Sequence, residues 1–234
     1  MLGLYTVILD HKLKLMTLTA SSIGRKVAMA LSGIFLVLFL TQHFSINLLS
    51  VFSESLFNEV SHFMGNNPLV QFVLQPVLIF GVLFHFIMGF ILEFQNAKSR
   101  TVKYSNYKGS ANASWMSRNM IYSGIVILSF LGLHFYDFWV PEMKYKYVEV
   151  LPLNPDRYFE ELVHKFESPV RVGLYVLSFV FLSLHLLHGF SSSFQSVGVN
   201  NKYSKSIKTF TKAFSIIVPL GFVFIALFHH LNAF

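Results

Sequence analysis

Residues 80–90 read FGVLFHFIMGF, an apolar run with one histidine, His85, inside it. The run belongs to a longer stretch, from Val60 to Leu92, that contains no Asp, Glu, Lys or Arg. About 20 apolar residues without charge are long enough to cross a bilayer as a helix. An imidazole in the hydrocarbon is costly unless it faces a partner inside the protein.

Charge-free stretches of similar length recur along the 234-residue chain, which is 54% hydrophobic and only 12% charged. This composition is typical of a membrane protein. The sequence therefore predicts an all-α integral membrane protein whose single domain, residues 1–234, is a bundle of five transmembrane helices. The predicted spans are about 25–52, 68–95, 115–140, 169–196 and 207–232. Pro76 and Pro219 fall inside two of them and should kink the helices.

The basic residues predict the orientation of the bundle. Thirteen of the 18 lysines and arginines lie at one end of the spans: before or at the start of the first, between the second span and the start of the third, or between the fourth span and the start of the fifth. The positive-inside rule then places the N-terminus in the cytoplasm and the C-terminus outside. Because these residues flank lipid-spanning runs, the net charge of +7 reflects topology, and we expect no nucleic-acid partner.

The chain has no cysteine. This excludes disulfides, thiolate zinc sites, iron–sulfur clusters bound by this chain and covalent c-type haem attachment. A cofactor must be held by histidine, by oxygen ligands or by packing.

Histidines lie at two depths in the predicted bundle. His43 lies 17 residues after Lys26 and His134 lies 16 residues after Arg118. At 1.5 Å per residue, both are roughly 25 Å from the cytoplasmic surface. Five of the ten histidines fall well inside spans: His43, His85, His134, His185 and His188. The other five, at positions 11, 62, 164, 229 and 230, are expected to be interfacial or solvated.

The second and fourth spans run in the opposite direction. His85 lies 17 residues after Pro68 and His185 lies 16 residues after Pro169, so both are roughly 25 Å from the external surface. Neutral imidazole is a good axial ligand for iron, and two imidazoles on facing helices hold a haem without a covalent link. We therefore predict two haem b groups. The inner haem would be ligated by His85 and His185, the outer haem by His43 and His134.

Other polar residues are candidates for contacts to the inner haem. His188 rivals His185, but it lies three residues further toward the cytoplasm, where it would hydrogen-bond a propionate. A short H-x-x-x-G pattern, seen at His85 and His185, favours His185 as the ligand; such glycines admit a flat group or serve plain helix packing. Three basic residues lie near the cytoplasmic ends of the spans: Arg25, Lys26 and Arg118. They would neutralise haem propionates, dock a partner or simply set topology. Ser32 is a weaker candidate for a contact to the propionates.

Four segments carry a resemblance to a known family: RKVAMALSGIFLVLFLTQHFSINLL (25–49), NPLVQFVLQPVLIFGVLFHFIMGFILE (67–93), NASWMSRNMIYSGIVILSFLGLHFYDFW (112–139) and LSLHLLHGFSSSFQSVG (182–198). Together they resemble the cytochrome b membrane anchor of succinate dehydrogenase and quinol:fumarate reductase. The similarity is greatest to the single-anchor, five-helix, two-haem type of Bacteroidetes-like bacteria, and it covers nearly the whole chain. In that family four histidines on the first four helices are the axial ligands, which here fall on His43, His85, His134 and His185.

The resemblance implies the role and the partners of the chain. It would be a multi-pass protein of the bacterial inner membrane, bound on its cytoplasmic side to an iron–sulfur subunit and to a flavoprotein that oxidises succinate. This chain would act as the electron-transfer and quinone-reacting subunit, without a catalytic residue for succinate, and menaquinone would be the usual acceptor.

Two positions limit what the resemblance implies. Fumarate-reducing relatives have a glutamate for transmembrane proton transfer two residues before the fourth ligand, where this chain has Ser183. They also have a quinone-site carboxylate between the first two spans, which falls near Glu59, with Glu54 as an alternative; a solvated loop acid is the competing interpretation.

Three other functions share some of these features. The haem-bearing subunit of a hydrogenase or formate dehydrogenase also bundles helices around paired histidines. A histidine-based transporter would place its ligands near one depth, beside broken helices and buried carboxylates. A purely structural anchor would bind no haem at all.

Overall fold

The computed structural model describes residues 21–99, 120–199 and 201–233, and every regular element among them is helical. In chain order, they are α1 (Ser22–Phe52), α2 (Glu54–Asn66), α3 (a π-helical turn Val70–Leu74, then the α-helix Gln75–Ser99), α4 (Met120–His134, extended by Phe135–Trp139, Val140–Met143 and Lys144–Val148), α5 (Arg157–Phe166), α6 (Pro169–Ser196) and α7 (Ser204–Asn232).

Five of these helices, α1, α3, α4, α6 and α7, are long and apolar enough to cross a membrane. This confirms the prediction of an all-α membrane bundle with five spans, whereas the orientation of its termini stays a prediction. The two short helices, α2 and α5, pack against each other, and α5 also packs against α7. We call this pair the outer cap.

Serine hydroxyls fix where several helices begin. The Ser21 hydroxyl accepts a hydrogen bond from the backbone N–H of Gly24 at 2.9 Å, which caps α1. Ser168 caps α6 in the same way and is followed by Pro169, whose missing N–H is not needed in a first helical turn. Local sequence therefore sets the entry of these spans.

The third span is longer than the sequence predicts. It does not end near residue 140, because α4 continues past Pro141 to Val148. A proline inside a helix lacks an N–H group, and its ring clashes with the carbonyl four residues earlier. Pro76 and Pro141 each come two residues after the end of a five-residue π-helical turn, whose wider path relieves that clash. Both prolines are thereby accommodated without ending the helix.

The core is concentrated on one side of the bundle. The closest packing joins α6 to α7, where Tyr175, Phe179, Phe222 and Ile225 are buried, and the same cluster extends into the outer cap. By contrast, no described side chain of Gln75–Ser99 is fully buried. The helix that carries His85 is therefore the most loosely packed of the spans.

Pro219 is accommodated by a neighbouring helix. Because proline has no N–H, the carbonyl of Ser215, four residues earlier, loses its usual donor within α7. The hydroxyl of Ser183 on α6 donates to that carbonyl oxygen at 2.7 Å. Ser215 is fully buried, so this bond satisfies an acceptor that water cannot reach.

We expect Ser183→Ala to lower the free energy of unfolding by about 1 kcal/mol, because it leaves the Ser215 carbonyl without a donor. In a Pro219→Ala background the restored N–H supplies the donor, so the same change should cost close to nothing. Unfolding titrations in mixed detergent micelles would measure this double-mutant cycle. Ser178→Ala is the control, since that hydroxyl bonds only the Leu174 carbonyl of its own helix. Equal costs in both backgrounds would contradict the assignment.

Candidate cofactor site

The outer histidine pair joins α1 to α4. The ring centres of His43 and His134 lie 5.7 Å apart, with the rings at 85° to each other. Phe39 stacks on His43 and Phe130 stacks on His134, each four residues earlier on the same helix. Phe222 of α7 also contacts His43. Aromatic rings therefore surround both imidazoles.

The inner pair joins α3 to α6. The ring centres of His85 and His185 lie 6.4 Å apart, with the rings at 66°. The structure thus brings the four histidines together in the two combinations that their depths predict. His188, one turn further along α6, has no ring contact with either of them among the described residues.

The spacing of both pairs suits a metal held between two imidazoles. Metal–imidazole bonds of about 2 Å on either side of an ion put the two ring centres roughly 6 Å apart. Within the described ranges no group of three or more His, Asp or Glu residues could enclose a metal. A haem iron takes four ligands from its porphyrin and needs only two from the protein. In addition, Nδ1 of His134 is buried and has no hydrogen-bond partner among the described residues. The donor set fits haem.

Two serines contact the inner imidazoles. The Ser32 hydroxyl oxygen lies 3.0 Å from Nδ1 of His85, and the Ser123 hydroxyl oxygen lies 3.2 Å from Nδ1 of His185. Ser32 is predicted from the sequence to cap a propionate; the structure places it against the imidazole. Ser123 was not predicted to belong to the site at all.

A repeat in the sequence would have identified Ser123. The pattern M-x2-S-G-x5-F-x3-H occurs at residues 29–43 and again at residues 120–134, with seven of fifteen positions identical. Each copy opens a helical hairpin whose second helix carries H-x-x-x-G. The hairpin α1–α3 is therefore similar to the hairpin α4–α6, and each histidine pair joins equivalent residues of the two.

The glycines of the H-x-x-x-G pattern face methionines of neighbouring helices. A Cβ on Gly89 would lie 3.5 Å from the Met29 methyl group, an ordinary van der Waals contact, and one on Gly189 would lie 3.0 Å from the Met120 methyl group. On the same stripe of α3, a Cβ on Gly81 would lie 2.6 Å from the Phe35 ring. Close helix contact therefore accounts for glycine at position 81, whereas the roles of Gly89 and Gly189 stay predictions.

A buried ionic triad lies one turn beyond His134. Asp137, with 1% of its surface exposed, accepts a hydrogen bond from Arg171 Nη1 at 2.6 Å and another from the Tyr175 hydroxyl at 2.9 Å. The Tyr175 ring contacts that of His134, with ring centres 6.3 Å apart. The triad therefore joins α4 to α6 beside the outer pair. Sequence reasoning missed it, because Asp137 and Arg171 meet only in the folded bundle.

Four residues are predicted to contact the propionates of the inner haem, and the structure describes three of them. Arg25 is partly buried and Lys26 is exposed in the first turns of α1, and His188 is partly buried. Arg118 lies outside the described residues. Their contacts to a haem propionate stay a prediction.

The two carboxylates predicted near a quinone lie on the outer cap. Glu54 and Glu59 are both exposed on α2. Between them Asn58 is buried, and its side-chain oxygen accepts a hydrogen bond from the Phe159 N–H of α5 at 2.9 Å. Asn58 therefore joins α2 to α5, while the two carboxylates lie on the surface of the outer cap.

Charged residues fasten the outer cap to the end of α4. Glu142 accepts hydrogen bonds from Arg157 and Tyr158 and pairs with Lys146 at 2.5 Å. The Arg157 guanidinium lies over the rings of Tyr145 and Tyr158, 4.1 and 4.4 Å from their centres. Burial, followed by the nearby Glu142 carboxylate, raises the pKa of Tyr158. Tyr158 therefore stays a neutral donor, and the cap is closed by ion pairs as well as by apolar packing.

His229 is an exception to the expectation that terminal histidines are interfacial or solvated. It is only 3% exposed, and its Nε2 lies 2.8 Å from the hydroxyl oxygen of Ser50. The next residue, His230, bonds the Phe166 carbonyl through Nδ1 at 2.8 Å. Both contacts tie the end of α7 to neighbouring helices, and they depend on folding that sequence position alone does not reveal.

One comparison with known proteins finds a distant relative of this chain. The chain is 23% identical to the succinate dehydrogenase cytochrome b558 subunit of Bacillus subtilis (strain 168) over 188 residues, which are 80% of this chain and 85% of that subunit. It is a distant relative of that membrane cytochrome. No protein-family model matches the chain, and no solved structure matches it. The similarity to the Bacteroidetes-like type stays a prediction.

We expect Asp137→Asn to destabilise the bundle, because the Arg171 charge is left without its partner. Breaking a fully buried ion pair costs about 3–5 kcal/mol; since the Arg171 side chain is 27% exposed, about 1–3 kcal/mol is expected here. The double variant Asp137→Asn with Arg171→Gln should recover part of the loss. Lys144→Gln, which breaks an exposed pair with Glu149, is the control and should change little. Additive losses in the double variant, measured by detergent unfolding, would argue against a coupled triad.

Proposed function

We propose that this chain is the di-haem cytochrome b membrane anchor of a succinate:quinone oxidoreductase. The observation that carries the proposal is the pairing of His43 with His134 and of His85 with His185 at two levels of one bundle. The distant similarity to a succinate dehydrogenase cytochrome b558 subunit supports it.

Each pair would hold one haem b through its two axial positions, His85 and His185 for the inner haem, His43 and His134 for the outer. When bound, the haem supplies a one-electron carrier. The chain's own residues hold the imidazoles in place, and Phe39 and Phe130 keep water away from the outer pair. The aromatic and aliphatic surroundings provide a low dielectric, which is one of the means by which a protein sets a haem potential.

The proposed path crosses the membrane from the inner pair to the outer pair. An iron–sulfur subunit docked on the cytoplasmic side would deliver electrons, and a flavoprotein subunit would oxidise succinate. The final acceptor would be menaquinone near the external face of a bacterial inner membrane. Arg25, Lys26, Arg118 and His188 are the proposed partners of the inner haem propionates or of the docked subunit.

A transporter is less compatible with this geometry. Its substrate ligands should converge near one depth, whereas the described histidines form two separate pairs with aromatic neighbours. The haem-bearing subunit of a hydrogenase or formate dehydrogenase would share the two pairs. The name of the relative in Bacillus subtilis favours succinate dehydrogenase between these two redox functions.

A reduced-minus-oxidised spectrum of the purified protein, with a pyridine haemochrome assay, is expected to give two b haems per chain. Replacing His85 or His185 by alanine should remove the inner haem, and replacing His43 or His134 should remove the outer, because one imidazole cannot hold a six-coordinate iron.

His188→Ala and His164→Ala are the matched controls. The first lies one turn from a proposed ligand, and the second is an exposed histidine on the outer cap. Both variants should keep two haems. A wild-type protein without visible haem absorbance would end the proposal, and loss of the inner haem in His188→Ala but not in His185→Ala would reassign the ligand.

Glu59 and Glu54 are the proposed carboxylates of the quinone site. Because both are exposed, neither change should disturb folding or haem content. If Glu59 contacts quinone, Glu59→Gln should lower succinate:quinone reductase activity several-fold while succinate oxidation with an artificial acceptor is unchanged. Glu54→Gln measures the alternative assignment. Full quinone reductase activity in both variants would show that the two acids are merely solvated.

A further inference from the structure

Each inner imidazole contacts a hydroxyl group on the preceding span. Ser32 of α1 lies against Nδ1 of His85 on α3, and Ser123 of α4 lies against Nδ1 of His185 on α6. The two contacts are built by residues 32 and 123 at the same position of the 15-residue repeat. The same geometry thus occurs twice, in two separate hairpins.

The hydroxyl protons determine the direction of these hydrogen bonds. The Ser32 hydroxyl donates to the Met29 carbonyl oxygen at 2.8 Å, and the Ser123 hydroxyl donates to the Met120 carbonyl oxygen at 2.8 Å. A hydroxyl has one proton, so each serine oxygen is left with lone pairs only. It therefore accepts a hydrogen bond from the Nδ1–H of the imidazole. This direction assigns the ring proton of His85 and of His185 to Nδ1 and leaves the lone pair on Nε2.

The outer pair has no such arrangement among the described residues. Nδ1 of His134 is buried without a hydrogen-bond partner. The Asn47 amide nitrogen is 3.5 Å from both ring nitrogens of His43, which is too long for a good hydrogen bond, and it donates to the His43 carbonyl at 2.8 Å. The serine contact therefore distinguishes the inner pair from the outer pair.

We propose that Ser32 and Ser123 are positioning residues that fix Nε2 as the metal-binding nitrogen of both inner histidines and strengthen it as a donor to iron. This inference rests on the proposed di-haem function. A ligand imidazole that donates its other N–H becomes a more basic ligand, and a more basic axial ligand stabilises the oxidised iron. The two hydroxyls thus hold the potential of the inner haem below the value it would have without them.

The test is a redox titration of the purified complex that resolves the two b haems. Ser32→Ala and Ser123→Ala are each expected to shift the inner midpoint potential upward, and the double variant should shift it further. The outer potential should not move. Ser32→Thr and Ser123→Thr, which keep the hydroxyl, should restore the wild-type value. Ser129→Ala is the matched control, because that exposed hydroxyl donates to the Ile125 carbonyl of its own helix, α4, and contacts neither inner histidine.

The outcomes separate this inference from the proposed function. Absence of haem from the wild-type protein overturns the function itself. Two haems with an inner potential unmoved in both alanine variants, or moved equally with the outer potential, overturn the serine assignment alone. If an alanine variant loses the inner haem altogether, the threonine variant decides: a wild-type potential there supports the role of the hydroxyl, and the same loss overturns it.

Discussion

Hydrocarbon offers no hydrogen bonds, so each polar group inside the bundle must find its partner within the protein. This constraint explains the main contacts between the spans. Pro219 frees a carbonyl, which receives the Ser183 hydroxyl of the next helix. Asp137 takes its partners from α6. The helices are held in register by these few satisfied groups, while the aromatic side chains fill the space between them.

The internal repeat gives the constraint a two-fold form. Equivalent residues of the two hairpins meet at each histidine pair. The four histidines therefore occupy only two kinds of position, one on the first helix and one on the second helix of each hairpin. The symmetry is incomplete: Gly33 lies against His85 and Ser193, whereas a Cβ at the equivalent Gly124 would meet no atom of the described residues within 4 Å. The hairpins also differ in their surroundings, since α7 packs on α6 and α1 but not comparably on α3. The two proposed haem sites are thereby related in geometry and different in environment.

The sequence predicts the five spans because charge-free length is a local property, and it predicts the histidine pairs because depth follows from counting residues along a helix. It does not predict groups whose partners are distant in the chain. Ser50 and His229 are 179 positions apart, and Ser123 and His185 are 62 apart. The sequence does not predict the extension of α4 for another reason. A proline such as Pro141 usually marks the end of a helix, and the π-helical turn that accommodates it has no signature in the amino-acid composition.

The serine contacts also explain how the inner histidines are tolerated before any cofactor binds. A neutral imidazole has one donor and one acceptor, and burial of either without a partner costs about 1–3 kcal/mol. In the proposed tautomer Ser32 and Ser123 satisfy the donors, so the Nε2 lone pairs are the groups of these two rings that have no hydrogen-bond partner within residues 21–99, 120–199 and 201–233. A metal satisfies a lone pair and cannot satisfy an N–H. In the proposed tautomer the hydroxyls therefore leave free, on each inner imidazole, the one lone pair that a haem iron could accept.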